Sequence, residues 1–468
     1  MKVLFCSSEI APYAKTGGLA DVSAALPEAL RKIGVQCSTV MPLYREIQEM
    51  GLDLEYVTEI SFVSGSGIAY SRIFRHAHTY FIENNDLFGR EGIYAYKDVD
   101  FPDNLERFAY FSRACVEMLS IMDDIDVIHI NDWQTALVPA YLKALGITIP
   151  TLFSIHNLVY QGIFDSDQWP ILLLPEEFFA PDGIEYYGKI NVMKSGIVFS
   201  DMLSTVSPSY AHEIQSGEFG AGLDGLLRSK RDRLTGITNG IDYKIWDPSS
   251  DSLIAQTYSA DDQRGKQACK KDLLRRLDMD EDTDRPVFGM IGRMTGQKGF
   301  DLLADILPKM IHMGSKIAIL GSGDPELEKR FRVIQQRYKK DSGICIGFNE
   351  PLAHAIEAGS DFFLMPSRFE PCGLNQMISM HYGTLPIATA VGGLRDTITA
   401  IGEGKDPCGI RISEPGHDAL LKAVKTAHAL YTSQQSLMKE MILSSMRKDF
   451  RWEIPAKKYL KLYKNKES

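Results

Sequence analysis

Glu370 stands in the run Ser367-Arg368-Phe369-Glu370-Pro371-Cys372-Gly373-Leu374, and Val391-Gly392-Gly393-Leu394-Arg395-Asp396-Thr397 follows it. A glycine turn at a helix start lets backbone N–H groups approach a phosphate closely, and a neighbouring carboxylate can hold a sugar hydroxyl. Together the two motifs read as a nucleotide-sugar site. A second basic glycine loop, Lys15-Thr16-Gly17-Gly18-Leu19-Ala20-Asp21, lies near the other end of the chain. A site that uses both loops needs the two halves of the chain to face each other across a cleft.

A sugar nucleotide reacts by losing a diphosphate, so negative charge on the leaving group has to be stabilised. One solution is a divalent metal on an Asp-x-Asp pair; the other is fixed cations with helix N-termini. Asp-x-Asp triplets occur at 98–100, 124–126, 165–167 and within 278–284, but so short a pattern arises by chance in an acidic chain. Neither a metal nor any other cofactor is expected. Arg293 and Lys298 flank Gly296 between an apolar run and the next helical pattern, and both can reach one diphosphate. At about 4 Å and an effective dielectric near 20, each charge pair is worth roughly 4 kcal/mol. Read locally, they serve equally well as exposed loop cations, and so does Lys15.

Glu370, between Phe369 and Pro371, needs a partner to offset desolvation. An ion pair with Arg368 or an N-cap for a helix starting near Leu374 would also account for it. Asp132 before Trp133 reads either as an N-cap or as a site residue, and His156 at a strand end reads either as structural or as catalytic.

These residues need elements that hold them. The chain has 468 residues, beyond the usual size of one hydrophobic core, so two domains are expected. Residues 2–7 read as a strand, 11–18 as a loop and 19–33 as a helix closed by Gly34; residues 287–291, 292–299 and 300–313 repeat that grammar up to Gly314. Strands at 126–130, 151–156, 202–206, 316–320 and 361–365, and a helix at 133–145, continue the alternation. Strands separated by helices imply parallel sheets, whose ligands bind at the carboxyl ends of the strands. Asp132, His156, Arg293 and Glu370 all follow strand ends. The turn-rich segment from Asn239 to Pro248 reads as the hinge. The expected division is 1–243, 244–449 and a C-terminal helix at 450–468 that packs back on the first domain.

Composition narrows the partners. Fifty-one Lys and Arg against 61 Asp and Glu give a net charge of -10, which opposes a nucleic-acid surface. The seven Cys are odd in number and never spaced C-x-x-C, as expected for reduced thiols. No apolar run is long enough for a signal sequence or a bilayer span, so a soluble, cytoplasmic protein is expected. His76 and His78 lack a third ligand nearby and read as strand residues.

Taken in order, the motifs resemble the bacterial glycogen synthase and plant starch synthase family. They run from Lys15-Thr16-Gly17-Gly18-Leu19-Ala20-Asp21-Val22 through Ser154-Ile155-His156-Asn157, Thr205-Val206-Ser207-Pro208, Thr238-Asn239-Gly240-Ile241-Asp242 and Gly292-Arg293 with Gln297-Lys298-Gly299. Pro366 to Leu374 and Gly392-Gly393-Leu394 complete the set. The resemblance implies an α/β fold of two Rossmann-like domains facing across a cleft, the GT-B type. It also implies metal-free transfer of glucose from ADP-glucose to the nonreducing 4-hydroxyl of an α-1,4-glucan such as glycogen, with retention. Carried over by motif, Glu370, His156, Arg293 and Lys298 are the expected catalytic set. Lys15, Gly17, Gly18, Asp21, Cys372, Gly373, Leu374, Gly392 and Gly393 would contact the donor, with Asp132 and Asn239 on the acceptor side.

Three positions depart from the family pattern: Gln134 stands where a His is usual, Phe348 where a Tyr is common, and Ile378 where related retaining transferases place a second Glu. A pyridoxal-phosphate phosphorylase, a UDP-glucose transferase and a silent glucan binder are the rival readings. Oligomeric state is not set by any of these residues.

Overall fold

A computed structural model describes residues 1–65, 67–97 and 99–464. Asp98 of the 98–100 triplet and the last four residues of the expected C-terminal helix lie outside the described residues. The chain forms two compact units, Met1–Asn239 with the segment from Trp452 onward, and Gly240–Arg451. The crossover therefore falls after Asn239 and before Trp452, a few residues from the expected 243 and 450. The reason is local pairing: the Ile241 amide donates to the Phe450 carbonyl at 2.9 Å, and the Tyr243 ring stacks on His381 at 4.2 Å.

The first unit is built on a nine-stranded sheet in the order Leu234–Gly236, Met202–Thr205, Thr151–Ile155, Val127–Asn131, Lys2–Cys6, Gln36–Pro42, Thr79–Ile82, Gly67–His76, Glu55–Ser64. The first seven run parallel, and the last two form an antiparallel hairpin. Val127–Asn131 and Thr151–Ile155 are buried along their whole length, as strands covered on both faces must be. Helix Gly18–Lys32 buries Leu19, Val22, Leu26 and Leu30 on one face. It ends where the Gly34 amide bonds Arg31 and the Val35 amide bonds Leu30, with Gly34 at φ 87°. That left-handed turn is why a glycine closes the helix.

Helix Glu453–Lys464 belongs to this unit, with Trp452, Ala456, Tyr459 and Tyr463 in a core shared with Val22, Leu26 and Leu30. A buried polar chain ties it to the sheet. His129 Nδ1 meets the Tyr463 hydroxyl at 2.7 Å and His129 Nε2 meets Ser154 Oγ at 2.6 Å; Ser154 Oγ lies 2.5 Å from Ser204 Oγ.

The second unit carries a six-stranded sheet, Ser342–Ile346, Lys316–Gly321, Val287–Ile291, Phe362–Met365, Leu385–Thr389, Ile410–Ile412, parallel throughout. Its helix Phe300–His312 closes on Gly314 with the same pair of amide bonds, Gly314 to Ile311 and Ser315 to Met310. The internal similarity read from sequence thus extends to the caps.

One expected element differs. Instead of a helix over 133–145, a 3-10 turn at Trp133–Thr135 precedes a helix at Val138–Ala144. Asp132 sits at φ 53°, and Thr135 Oγ1 accepts from the Asn131 amide at 2.7 Å and donates to the Asn131 carbonyl at 2.9 Å. This local turn occupies the first helical positions, and Pro139 starts the helix proper. His76 Nδ1 is taken by the Tyr13 hydroxyl at 2.7 Å. None of the described helices is long and apolar enough to cross a membrane.

Candidate active-site loops of the two units

In the first unit the expected site residues leave the carboxyl ends of neighbouring parallel strands. Lys15 lies in the loop between Lys2–Cys6 and helix Gly18–Lys32, where its ammonium pairs with Asp21 at 2.7 Å, both side chains partly exposed. A Cβ built at Gly17 would meet nothing within 4 Å, so the surface above that residue is open. Beneath the loop, Glu9 is buried and accepts from the amides of Thr16 and Gly17.

Asp132 follows Val127–Asn131, and its Oδ1 accepts from the amides of His156 at 2.7 Å and Asn157 at 3.4 Å. It caps no helix with its side chain; it joins two strand ends instead. Burial pushes its carboxyl up to about 7, against the pull of those two N–H groups. The His156 ring lies against Asn131 Oδ1 at 2.9 Å. Because Asn131 Nδ2 donates to the Cys6 carbonyl, its Oδ1 is left to accept, which places the imidazole proton on Nε2 and leaves Nδ1 as an acceptor. Burial lowers the His156 pKa to about 4, so the ring is neutral at pH 7. Asn239, beyond strand Leu234–Gly236, is buried, and its Oδ1 has no hydrogen-bond partner among the described residues.

The raised Asp132 pKa has a thermodynamic consequence. Below about pH 4 the carboxyl is protonated folded or unfolded; between pH 4 and 7 the unfolded chain ionises first, so stability falls as pH rises through that window. Asp132→Asn removes the titration. Its melting temperature relative to the natural chain is expected to climb from pH 4 to pH 8; a pH-independent difference in thermal melts would mean that Asp132 ionises normally.

In the second unit, Gln297 and Arg368 zip two strand-end loops together. The Arg368 amide donates to the Gln297 carbonyl at 2.8 Å, and Gln297 Nε2 donates to the Phe369 carbonyl at 3.3 Å. Gly299, at φ 77°, lies so close to Pro366 that a Cβ would come within 2.4 Å of its carbonyl oxygen. This contact carries Lys298 to Glu370, Nζ to Oε2 at 2.5 Å. Glu370 is only 5% exposed and also accepts from Ser367 Oγ at 3.2 Å. Arg368 instead forms a two-point pair with Asp301, at 2.9 and 2.7 Å, and Leu374 caps the following helix without a side-chain bond to Glu370. Both local explanations of Glu370 thus give way to a tertiary ion pair. Arg293 is exposed on the same loop as Lys298.

Gly392 and Gly393 back this arrangement from below. A Cβ on Gly392 would lie 2.0 Å from the Glu370 carbonyl oxygen, and one on Gly393 2.2 Å from that of Cys372. The Gly393 amide is spent on the Glu370 and Pro371 carbonyls, both at 3.2 Å. Gly373 turns at φ 73°, and Gln376 Nε2 fixes the carbonyls of Cys372 and Gly373 at 3.0 Å each. Among the described residues no cluster of three or more His, Cys, Asp or Glu could hold a metal. Glu9, Asn131, Ser367 and Gln376 are not among the site residues expected from sequence. Glu9 stands outside any glycine motif and Asn131 acts on the distant His156, whereas Ser367 and Gln376 act on residues three or four positions away, a signal that the spacing around Glu370 carries.

Residues 2–229 match a family model described as the starch synthase catalytic domain, and residues 285–429 match glycosyl transferases group 1. A glycogen synthase from Myxococcus xanthus is 44% identical, covering 99% of each chain. The chain belongs to the glycogen synthase family. Another family member, from Syntrophotalea carbinolica, is 38% identical over 99% of this chain and 98% of its own. The catalytic domain of starch synthase IV from Arabidopsis thaliana, solved bound to ADP and acarbose, superposes with a TM-score of 0.91 at 30% identity, covering 98% of each chain. Sucrose-phosphate synthase from Thermosynechococcus elongatus, at 18% identity and TM-score 0.62 over 99% of this chain and 98% of its own, shares the fold. The protein is thus a hexosyltransferase with the GT-B fold and glycogen synthase function. Of the departures from the family pattern, Gln134 is buried with its Oε1 lacking a partner among the described residues, and the Phe348 ring is 84% exposed.

Proposed function

We propose that this protein transfers glucose from ADP-glucose to the nonreducing 4-hydroxyl of glycogen or a linear α-1,4-glucan, with retention and without a metal, in the cytoplasm. The observation that carries the reading is the Lys298–Glu370 pair on glycine-bound strand-end loops, in a chain matched over its full length by glycogen synthases. Lys298 keeps a quarter of its side chain exposed, and a tetrahedral ammonium has three donors, so it holds Glu370 with one and offers others to the leaving diphosphate. Arg293 supplies a second cation. Glu370 accepts from donor sugar hydroxyls, His156 lies beside that sugar as a neutral ring, and the backbone of Cys372, Gly373 and Leu374 lines the donor. Gly392 and Gly393 act by seating the Glu370 loop. Lys15, Gly18 and Asp21 are assigned to the donor, Gly17 only through the open face above its Cα because its amide is held by Glu9, and Asp132 and Asn239 to the acceptor.

In the proposed step the bond from the sugar C1 to the diphosphate oxygen breaks as the acceptor O4 bonds C1 from the same face, through an oxocarbenium-like state. The departing phosphate takes the O4 proton. Trapping a covalent glycosyl-enzyme would overturn this route.

The test incubates metal-stripped protein with glycogen and either ADP-glucose or UDP-glucose and measures nucleoside diphosphate release. ADP released without added metal is the expected result. UDP release alone would overturn the donor assignment, and release from neither would overturn the reading.

A further inference from the structure

Glu9 is a carboxylate 3% exposed, and no cation lies within ion-pair distance of it among the described residues. Four neutral donors converge on it instead. The amides of Thr16 and Gly17 donate to Oε2 at 2.5 and 3.2 Å; Thr16 Oγ1 and the Tyr94 hydroxyl donate to Oε1 at 2.7 and 2.6 Å. Ser8 Oγ lies 2.7 Å from the same phenol oxygen. Burial, and then the Glu9 charge, push the Tyr94 phenol well above its ordinary value, so the phenol keeps the proton it donates.

A buried charge under a loop meant for an anion works against binding, since its field repels phosphate. Its presence there calls for a geometric reason. An ionised carboxylate is the side chain with acceptor sites for four donors and no donor of its own to clash with them. By turning the Thr16 and Gly17 amides inward, Glu9 sets the path of the chain from Lys15 into helix Gly18–Lys32, while Asp21 holds the Lys15 ammonium at the surface.

We propose that Glu9 is a positioning residue for donor turnover: it clamps the Lys15-Thr16-Gly17 loop in the conformation that presents Lys15 to the donor phosphates. The inference rests on the functional reading above and extends it to a residue that never touches substrate. A misplacement of about 1 Å in a positioning element costs on the order of 10²-fold in rate.

The test compares Glu9→Ala with Glu9→Gln. The alanine variant releases the loop. Glutamine can turn its carbonyl to the two amides and its NH2 to the Thr16 and Tyr94 oxygens, and so can keep the geometry without the charge. For Glu9→Ala, kcat with ADP-glucose is expected to fall about 10- to 100-fold and KM for ADP-glucose to rise, with KM for glycogen within about twofold of the natural chain. Glu9→Gln should recover to within about threefold of the natural kcat. Amide exchange, followed by mass spectrometry, should be fast at Thr16 and Gly17 in Glu9→Ala and slow in the natural chain and Glu9→Gln. A folded Glu9→Ala with natural kinetic constants, or with lower melting temperature alone, would overturn the proposal. So would a Glu9→Gln as impaired as the alanine variant. If the natural chain itself releases no ADP, the functional reading fails, and the exchange comparison alone decides whether Glu9 holds the loop.

Discussion

Lys298→Gln is expected to lower kcat by on the order of 10²- to 10³-fold, the usual loss when one preorganised electrostatic donor to a developing anion is removed. Glutamine is the informative replacement because of what Lys298 faces before substrate arrives. Its ammonium is the cation paired with Glu370, which is almost wholly enclosed. Deleting one partner of a buried pair costs on the order of 3–5 kcal/mol, and the partial exposure of Lys298 puts this case at the low end or below. Alanine would mix that folding cost with the catalytic one. Glutamine removes the charge and, though one bond shorter than lysine, keeps an N–H donor that can turn toward the carboxylate, so less of the folding cost is mixed in. Steady-state kinetics beside a thermal melt separates the two, and a folded variant with the natural kcat would remove Lys298 from the leaving-group role.

Glu370→Gln is expected to be at least as damaging, with kcat reduced by roughly 10³-fold. A carboxylate about 4 Å from positive charge developing on the sugar, at an effective dielectric near 20, contributes roughly 4 kcal/mol, or about three decades in rate. The isosteric amide still accepts from Ser367 Oγ but gives up the charge that Lys298 pairs with, so a modest fall in melting temperature is expected, and a thermal melt beside the kinetics separates it from the loss of turnover. The double variant carries the sharper test. Lys298 and Glu370 touch at 2.5 Å, so their effects should not multiply: Lys298→Gln with Glu370→Gln together should cost less than the product of the single losses. Fully multiplicative losses would mean that the two side chains act independently and that their pairing is incidental.

The central buried strands, the glycine turns and the order of the motifs were legible because each is a local property, whereas Gln36–Pro42, the antiparallel hairpin Glu55–Ser64 with Gly67–His76, and Leu385–Thr389 were not read. A fully buried strand shows as an apolar run, and Gly34, Gly314 and Gly299 show as glycines because their φ angles of 87°, 91° and 77° suit no bulkier residue. The helix expected over 133–145 was misread because the Thr135 hydroxyl competes for the backbone bonds of Asn131. That competition leaves no trace in hydrophobic periodicity.

Two α/β units, the loops that carry Lys15, Arg293, Lys298 and Glu370, and the family pattern those loops spell are written in local residue order. Which side chains meet is a matter of packing across the sheets. Glu370 takes Lys298, 72 positions away, while its neighbour Arg368 takes Asp301. Glu9 gathers Thr16 with the distant Tyr94, and the last helix joins the first unit's core. The helix joins through apolar packing of Trp452, Ala456, Tyr459 and Tyr463, whereas the two carboxylates share another cause. Chain pattern reports the conformation each segment prefers, but a buried charge takes its partner from whichever strand-end loop the parallel sheet lays beside it, and that neighbour is set by strand order rather than by distance along the chain.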